Sequence, residues 1–217
     1  MVFSIEELSF WFTIILVCTL GAMSPGPSLA VVVKHSITTG RKAGYYAAIS
    51  HGLGIGLYAL ATALGLSILI QQNQVLFNLV QAMGCLFLLH LSFKLIRSFS
   101  TEQEIVADTT TMSSHWHAIR DGFLIAVINP KILIFFTALF SQFVRVDSGI
   151  GEKLGLAFVA GVVDIMWYLC VATVAASSTF THSFIGGGRW MNLFFGLILA
   201  IVALRFLVQI SSNYYHW

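Results

Sequence analysis

Apolar residues run along this chain in six long blocks, at about 10–33, 43–70, 75–96, 122–144, 154–177 and 190–210. Each is of the order of the ~20 residues a helix needs to cross a hydrocarbon core. Two blocks are interrupted. Pro25-Gly26-Pro27 breaks the first and Asn129-Pro130-Lys131 the fourth, about half a chain length apart. Proline lacks the ladder N–H and its ring clashes with the preceding turn, so each motif predicts an opened helix. Open backbone survives in a bilayer only where protein or a water-filled cavity satisfies it. Paired breaks in two halves are a pointer to the substrate site of a transporter.

The blocks fall three and three about one polar stretch, 97–121, which is rich in Ser, Thr and acids and reads as a loop. The pattern predicts an all-α integral membrane protein. Its six transmembrane helices form two inverted three-helix repeats, about 1–96 and 122–210, in one transmembrane domain over 1–217, with helices 1 and 4 broken at the proline motifs. Lys34, Arg41, Lys42, Lys94, Arg97, Arg120 and Arg189 fall on one side of this arrangement, and Arg145, Lys153 and Arg205 on the other. The richer side is expected in the cytoplasm, which places both termini in the periplasm.

Composition agrees with the pattern. The chain is 58% hydrophobic and 9% charged, where a soluble domain carries about a quarter charged residues. A net charge of +2 gives no footing for nucleic acid as a partner. The region before Phe10 holds Glu6 and Glu7 and no Lys or Arg, so the first block reads as a retained helix rather than a signal peptide. Cys18, Cys85 and Cys170 stand singly in separate blocks, with no Cys-x-x-Cys pair.

Four places carry candidate chemistry. At Pro25-Gly26-Pro27 the functional reading is an unwound stretch whose freed amides and carbonyls meet a polar solute, with Ser24 and Ser28 as local caps. The plainer reading is a kink, which two prolines around a glycine exceed. Asn129-Pro130-Lys131 adds a charge near mid-membrane, where Lys costs roughly 2.5–3.5 kcal/mol to insert. Lys131 therefore reads as functional or paired, the alternative being a side chain that snorkels to the surface. Asp164 is the one acid deep in a block; it serves as a proton-coupling acid, as the partner of a substrate ammonium, or in a structural ion pair with Lys131. His51, within Ser50-His51-Gly52, is a weaker candidate, since a lone histidine between helices is more often a hydrogen-bonded packing residue. His115-Trp116-His117 supplies too few ligands for a metal. Gly40, Gly44, Ala48, Gly52 and Gly56 recur at four-residue spacing and predict a smooth helix-packing face, toward a helix of the same chain or a second copy in a homodimer.

With these residues in view, the chain resembles the LysE/RhtB family of small bacterial amino-acid exporters. The resemblance rests on Ser24-Pro25-Gly26-Pro27, Gly40-Arg41-Lys42-Ala43-Gly44 and Ala63-Leu64-Gly65-Leu66 in the first half. In the second half it rests on Gly122-Phe123 and on Asn129-Pro130-Lys131 through Phe135-Phe136 to Gln142-Phe143. It covers nearly the whole chain. It implies a secondary transporter, not an enzyme, that exports amino acids or close derivatives across the bacterial inner membrane, driven by protons and using no cofactor. The chain departs from many relatives at Ser28 and at the apolar Ile55, leaving Asp164 and His51 as the titratable groups of the central helices.

In the first reading, the broken backbone meets the α-carboxylate and α-ammonium groups of the substrate. Lys131 then balances the carboxylate, and Asp164 the ammonium or the coupled proton. A membrane thiol–disulfide carrier is a second reading, and it needs two thiols that meet. A metal-ion exporter is a third, and it needs several carboxylates, thiols or imidazoles to converge.

Overall fold

The computed structural model describes residues 5–24, 26–97, 114–145, 148–177, 193–208 and 210, and these residues form helices without a strand. In chain order they are α1 (Ile5–Met23), α2 (Pro27–Thr38), α3 (Arg41–Gln72), α4 (Gln74–Arg97), α5 (His115–Ile128), α6 (Pro130–Phe140), α7 (Ile150–Ala175) and α8 (Leu193–Val208). Among the described residues α3, α4 and α7 are long and apolar enough to cross a membrane, and up to five spans result if each broken pair counts as one. The sixth expected block, 190–210, is represented by α8, with 190–192 and 209 outside the described residues.

Local chemistry sets the boundaries. Both breaks fall at a residue before proline, a position that disfavours the α conformation. Gly26 is fully extended (φ 175°, ψ −173°) and α2 restarts at Pro27. Asn129 is extended (φ −69°, ψ 112°) and α6 restarts at Pro130. The axes of α1 and α2 differ by 63° across their break. Contrary to the expected end near residue 33, α2 runs on to Thr38, because His35 and Ser36 are buried rather than facing a loop. It stops at Gly40, whose φ of +99° is the left-handed conformation that ends helices at glycine. Gly40 therefore sits in a turn, off the small-residue face expected of the second block. Asn73 separates α3 from α4 and caps α4, its Oδ1 accepting from the Leu76 amide at 2.9 Å.

The polar stretch expected as a loop is shorter than 97–121. Arg97 closes α4 and His115–Asp121 already belongs to α5; 98–113 lie outside the described residues. Ser114 stands at the N-cap with extended backbone, and its hydroxyl bonds His117 Nδ1 at 3.0 Å.

The chain divides into two compact units that do not coincide with its two halves. The first unit holds α1, α2, α3 to Leu60, α5 and α7 from Leu154; the second holds the rest of α3, α4, α6 and α8. In the first, α2 packs on α5. Along α3, two adjacent stripes of small residues meet two neighbours. Gly52 and Gly56 lie against Gly161 of α7 so closely that a methyl on Gly52 would strike the Gly161 carbonyl. Ala47 and Ser50 lie against Gly122 of α5, where a methyl would strike the Ala47 carbonyl. Gly44 and the fully buried Ala48 continue the first stripe, Gly44 against Ser36 and Ala172. The predicted small-residue face thus meets α7 and the end of α2 in the same unit. A third face of α3, with Tyr46, Ile49, Leu53 and Leu57, is exposed and apolar.

In the second unit α4 packs on α6, with Gly84 against the Ala138 backbone. Ser92 of α4 donates to the Gly196 carbonyl of α8 at 2.7 Å. Gln81 donates to the Ser141 carbonyl and Gln142 to the Gln81 carbonyl, at 3.1 and 3.0 Å.

Overpacking a filled interior costs about 1–3 kcal/mol. Gly52→Val and Gly161→Val are therefore expected to lower the amount of monodisperse protein recovered from membranes and its unfolding temperature, as read by size-exclusion chromatography and a thermal ramp. Gly65→Ala, where an added methyl meets nothing within 4 Å, is expected to leave both unchanged.

Candidate functional site

A helix break leaves amides without carbonyl partners at the restart and carbonyls without amides at the stop. At the first break Gly26 provides no side-chain cap for α2, and its carbonyl takes the Ala30 amide at 3.2 Å. At the second, Pro130 has no N–H to return to the preceding turn of α5. Each break thus brings a partly positive helix start next to a partly negative helix end. Pro25 itself lies outside the described residues.

Within the first unit the two break motifs touch. Asn129 Nδ2 lies 3.5 Å from the Ser28 hydroxyl, both residues being buried. Ser28 also shares a hydrogen bond with Tyr168 of α7. The Tyr168 ring meets His51 of α3 edge-on, with centroids 5.0 Å apart. On its other side His51 Nδ1 stands 2.6 Å from Asp164 Oδ2. His51 is 1% exposed and Asp164 5%. A buried charge persists only with a close partner, and the partner of Asp164 is this imidazole. Asn129, Ser28, Tyr168, His51 and Asp164 therefore form one buried polar chain, with Cys18 of α1 also in the field of the Asp164 carboxylate. The small residues of α3 and α7 make this contact attainable, because Gly52 and Gly161, next to the pair, let the two backbones approach.

Lys131 is the second residue of α6, in the second unit, half-buried, with the Lys94 ammonium of α4 as a like-charged neighbour. Among the described residues the salt-bridge partner of Asp164 is His51. Cys18 and Cys85 are buried in different units and Cys170 is exposed, all three free. The described residues hold no group of three His, Cys, Asp or Glu side chains suited to a metal ion.

The model of the LysE type translocator family matches residues 19–210. The chain belongs to the LysE type translocator family. Curated relatives extend the match over almost the full length. The threonine efflux protein of Salmonella typhi is 23% identical over 204 residues, covering 93% of this chain and 99% of that protein. The leucine efflux protein of Salmonella choleraesuis (strain SC-B67) is 26% identical over 204 residues, covering 91% and 94%. The threonine efflux protein of Escherichia coli K12 is 23% identical, covering 93% and 99%. No solved structure matches the chain. As a LysE type translocator it is a transporter and not an enzyme, and its apolar helices make it a multi-pass membrane protein.

Two groups of this LysE type translocator are joined only by the fold. Tyr168 lies in an apolar run and reads as packing, although its hydroxyl joins the polar chain. His35 lies beyond the first expected block and Asp121 within the expected loop, yet His35 Nε2 lies 3.1 Å from Asp121 Oδ2 and so ties α2 to α5. The exposed Arg120 guanidinium reaches the other carboxylate oxygen at 3.2 Å. A His followed 86 positions later by an acid carries no signal without the packing.

Stripping a buried donor of its acceptor costs about 1–3 kcal/mol, and about 2–4 °C of unfolding temperature accompanies each kcal/mol at this chain length. Asp121→Ala is expected to lower the unfolding temperature of the detergent-purified protein by several degrees. Arg120→Ala, at the exposed side of the cluster, is expected to change it by a degree or less.

Proposed function

We propose that this protein is a secondary transporter that exports an amino acid or close derivative from the cytoplasm across the bacterial inner membrane, driven by the proton gradient. The observation that carries this reading is the contact between the two break motifs through Ser28 and Asn129, in a chain whose relatives are threonine and leucine efflux proteins. A zwitterion needs donors for its carboxylate and acceptors for its ammonium within a few ångströms of each other. A helix break supplies both, because amides of the restart and carbonyls of the stop lie side by side.

The roles follow residue by residue. Pro25, Gly26 and Pro27 hold the first segment open, and Asn129 and Pro130 the second. Ser28 and Asn129 contribute neutral hydrogen bonds to the solute. Lys131 balances the carboxylate. Asp164 is the intramembrane acid of the cycle, and its buried position favours that reading because acids in membrane segments are expensive to keep. The architecture in this reading is six spans in two inverted repeats with both termini periplasmic, and the exposed apolar face of α3 lies against lipid.

Export is tested in cells preloaded with a dipeptide mixture, by following amino acids in the medium with and without this protein and with and without a protonophore. Faster release of one or a few amino acids, lost with the protonophore, is the expected outcome. Unchanged release of every amino acid, with the protein verified in the membrane, overturns the reading. Lys131→Ala and Asp164→Asn are each expected to reduce release at least about tenfold, the loss of one charged hydrogen bond, with normal amounts of protein in the membrane. Full activity in both removes the site assignment and leaves export standing.

A further inference from the structure

The polar chain in the first unit has one loose end. An ionised carboxylate only accepts hydrogen bonds, so in the state where Asp164 is ionised it is His51 Nδ1 that donates across the 2.6 Å contact. A ring with its single proton at Nδ1 has a lone pair at the other nitrogen, Nε2. It is buried and has no hydrogen-bond partner. Leaving such an atom unpaired is costly, and natural interiors seldom do so without a functional reason. The Tyr168 ring stands roughly perpendicular to the imidazole, and the Asp164 carboxylate meets its other nitrogen, Nδ1. Among the described residues no Lys or Arg forms a salt bridge with that carboxylate, and in the state with Asp164 ionised and the ring singly protonated the pair carries one negative charge.

A buried, negatively charged pair that offers a lone pair is a receptor for a cationic donor of small size. We propose that His51 Nε2 receives the α-ammonium group of the transported amino acid, with Asp164 as the positioning residue that fixes the imidazole tautomer and supplies the balancing charge. This inference rests on the export reading above and deepens it: the substrate class becomes solutes with a free α-ammonium group. Asp164 acts through the ring instead of touching the ammonium. Tyr168 links the same pair to Ser28, at the start of α2, where amides are available for the carboxylate end. An imidazolium would present an N–H at this position and repel the ammonium. The neutral tautomer is therefore the one that binds.

The test uses the full-length protein reconstituted in vesicles. Leucine and threonine are tried first among the common amino acids, and whichever the wild type exports is compared with its 2-hydroxy acid, which keeps the side chain and carboxylate but lacks the ammonium. The wild type is expected to prefer the amino acid at least about tenfold, since a site built for a hydrogen-bonding group rejects the analogue without it. His51→Leu and Asp164→Asn are expected to bring the two rates within about threefold of each other by slowing the amino acid alone. His51→Gln, which returns an acceptor oxygen, is expected to restore part of the preference. An unchanged preference in His51→Leu and Asp164→Asn overturns the inference and leaves export intact. Absence of export of any amino acid by the wild type overturns both.

If His51→Leu fails to reach the membrane, nitrogen-15 spectra of histidine-labelled wild-type protein decide. The Nε2 signal of His51, assigned with His51→Gln, is expected to shift on adding the exported amino acid and not on adding its 2-hydroxy acid. No shift with either, or an equal shift with both, overturns the inference.

Discussion

Backbone amides and carbonyls find no water in hydrocarbon, so a helix inside a membrane can stop only where something else meets its ends. Two segments of this protein stop anyway, one after Met23 and one at Asn129, and in each the next helix begins at a proline, Pro27 or Pro130. Proline suits a first helical position, where its missing N–H is no loss. At Pro130 the same residue thus ends one helix and starts another, and the helix ends at both breaks need polar company. Ser28 and Asn129 supply some of it for one another. Tyr168, His51 and Asp164 extend that company into the interior of the first unit, where an acid at 5% exposure has only protein around it.

Packing and polarity are ordered in this arrangement. Helix association in lipid gains little from the hydrophobic effect and depends on close contact. Gly52, Gly56 and Gly161 bring α3 and α7 near enough for a 2.6 Å hydrogen bond between His51 and Asp164. Interhelical hydrogen bonds in membranes contribute about 0.6 kcal/mol each on average, too little to draw the helices together unaided. The seam of small residues makes the pair attainable, and the pair then fixes the rotation of the two helices about their axes.

The breaks could be read in the sequence because proline acts locally: its effect falls on the residue before it whatever surrounds the chain. The long apolar helices were legible for a similar reason, since span length is a property of a continuous run. Partnerships were not. Asp164 was singled out as a buried acid needing company, and His51 as a histidine of uncertain purpose, but 113 positions separate them, and facing depends on how α3 and α7 are rotated. His35 and Asp121 were missed on the same ground. The start of α5 was missed because His115-Trp116-His117 lacks apolar periodicity, although it is helical once Ser114 precedes it. The division into two units cuts across the sequence halves within α3, and no feature of composition marks Leu60 as a boundary.

The seam between α3 and α7 is built from what is missing: hydrogen atoms stand where other helices carry side chains. Such a surface has no intermediate settings. A side chain in a pocket can be lengthened, shortened or branched to admit a different solute, whereas a glycine in backbone contact can only be kept or lost. Relatives that carry different solutes would then vary at positions that project from this scaffold and preserve the seam. A search for specificity among them therefore begins with side chains near the buried polar chain, and can set aside the helix contact that holds it.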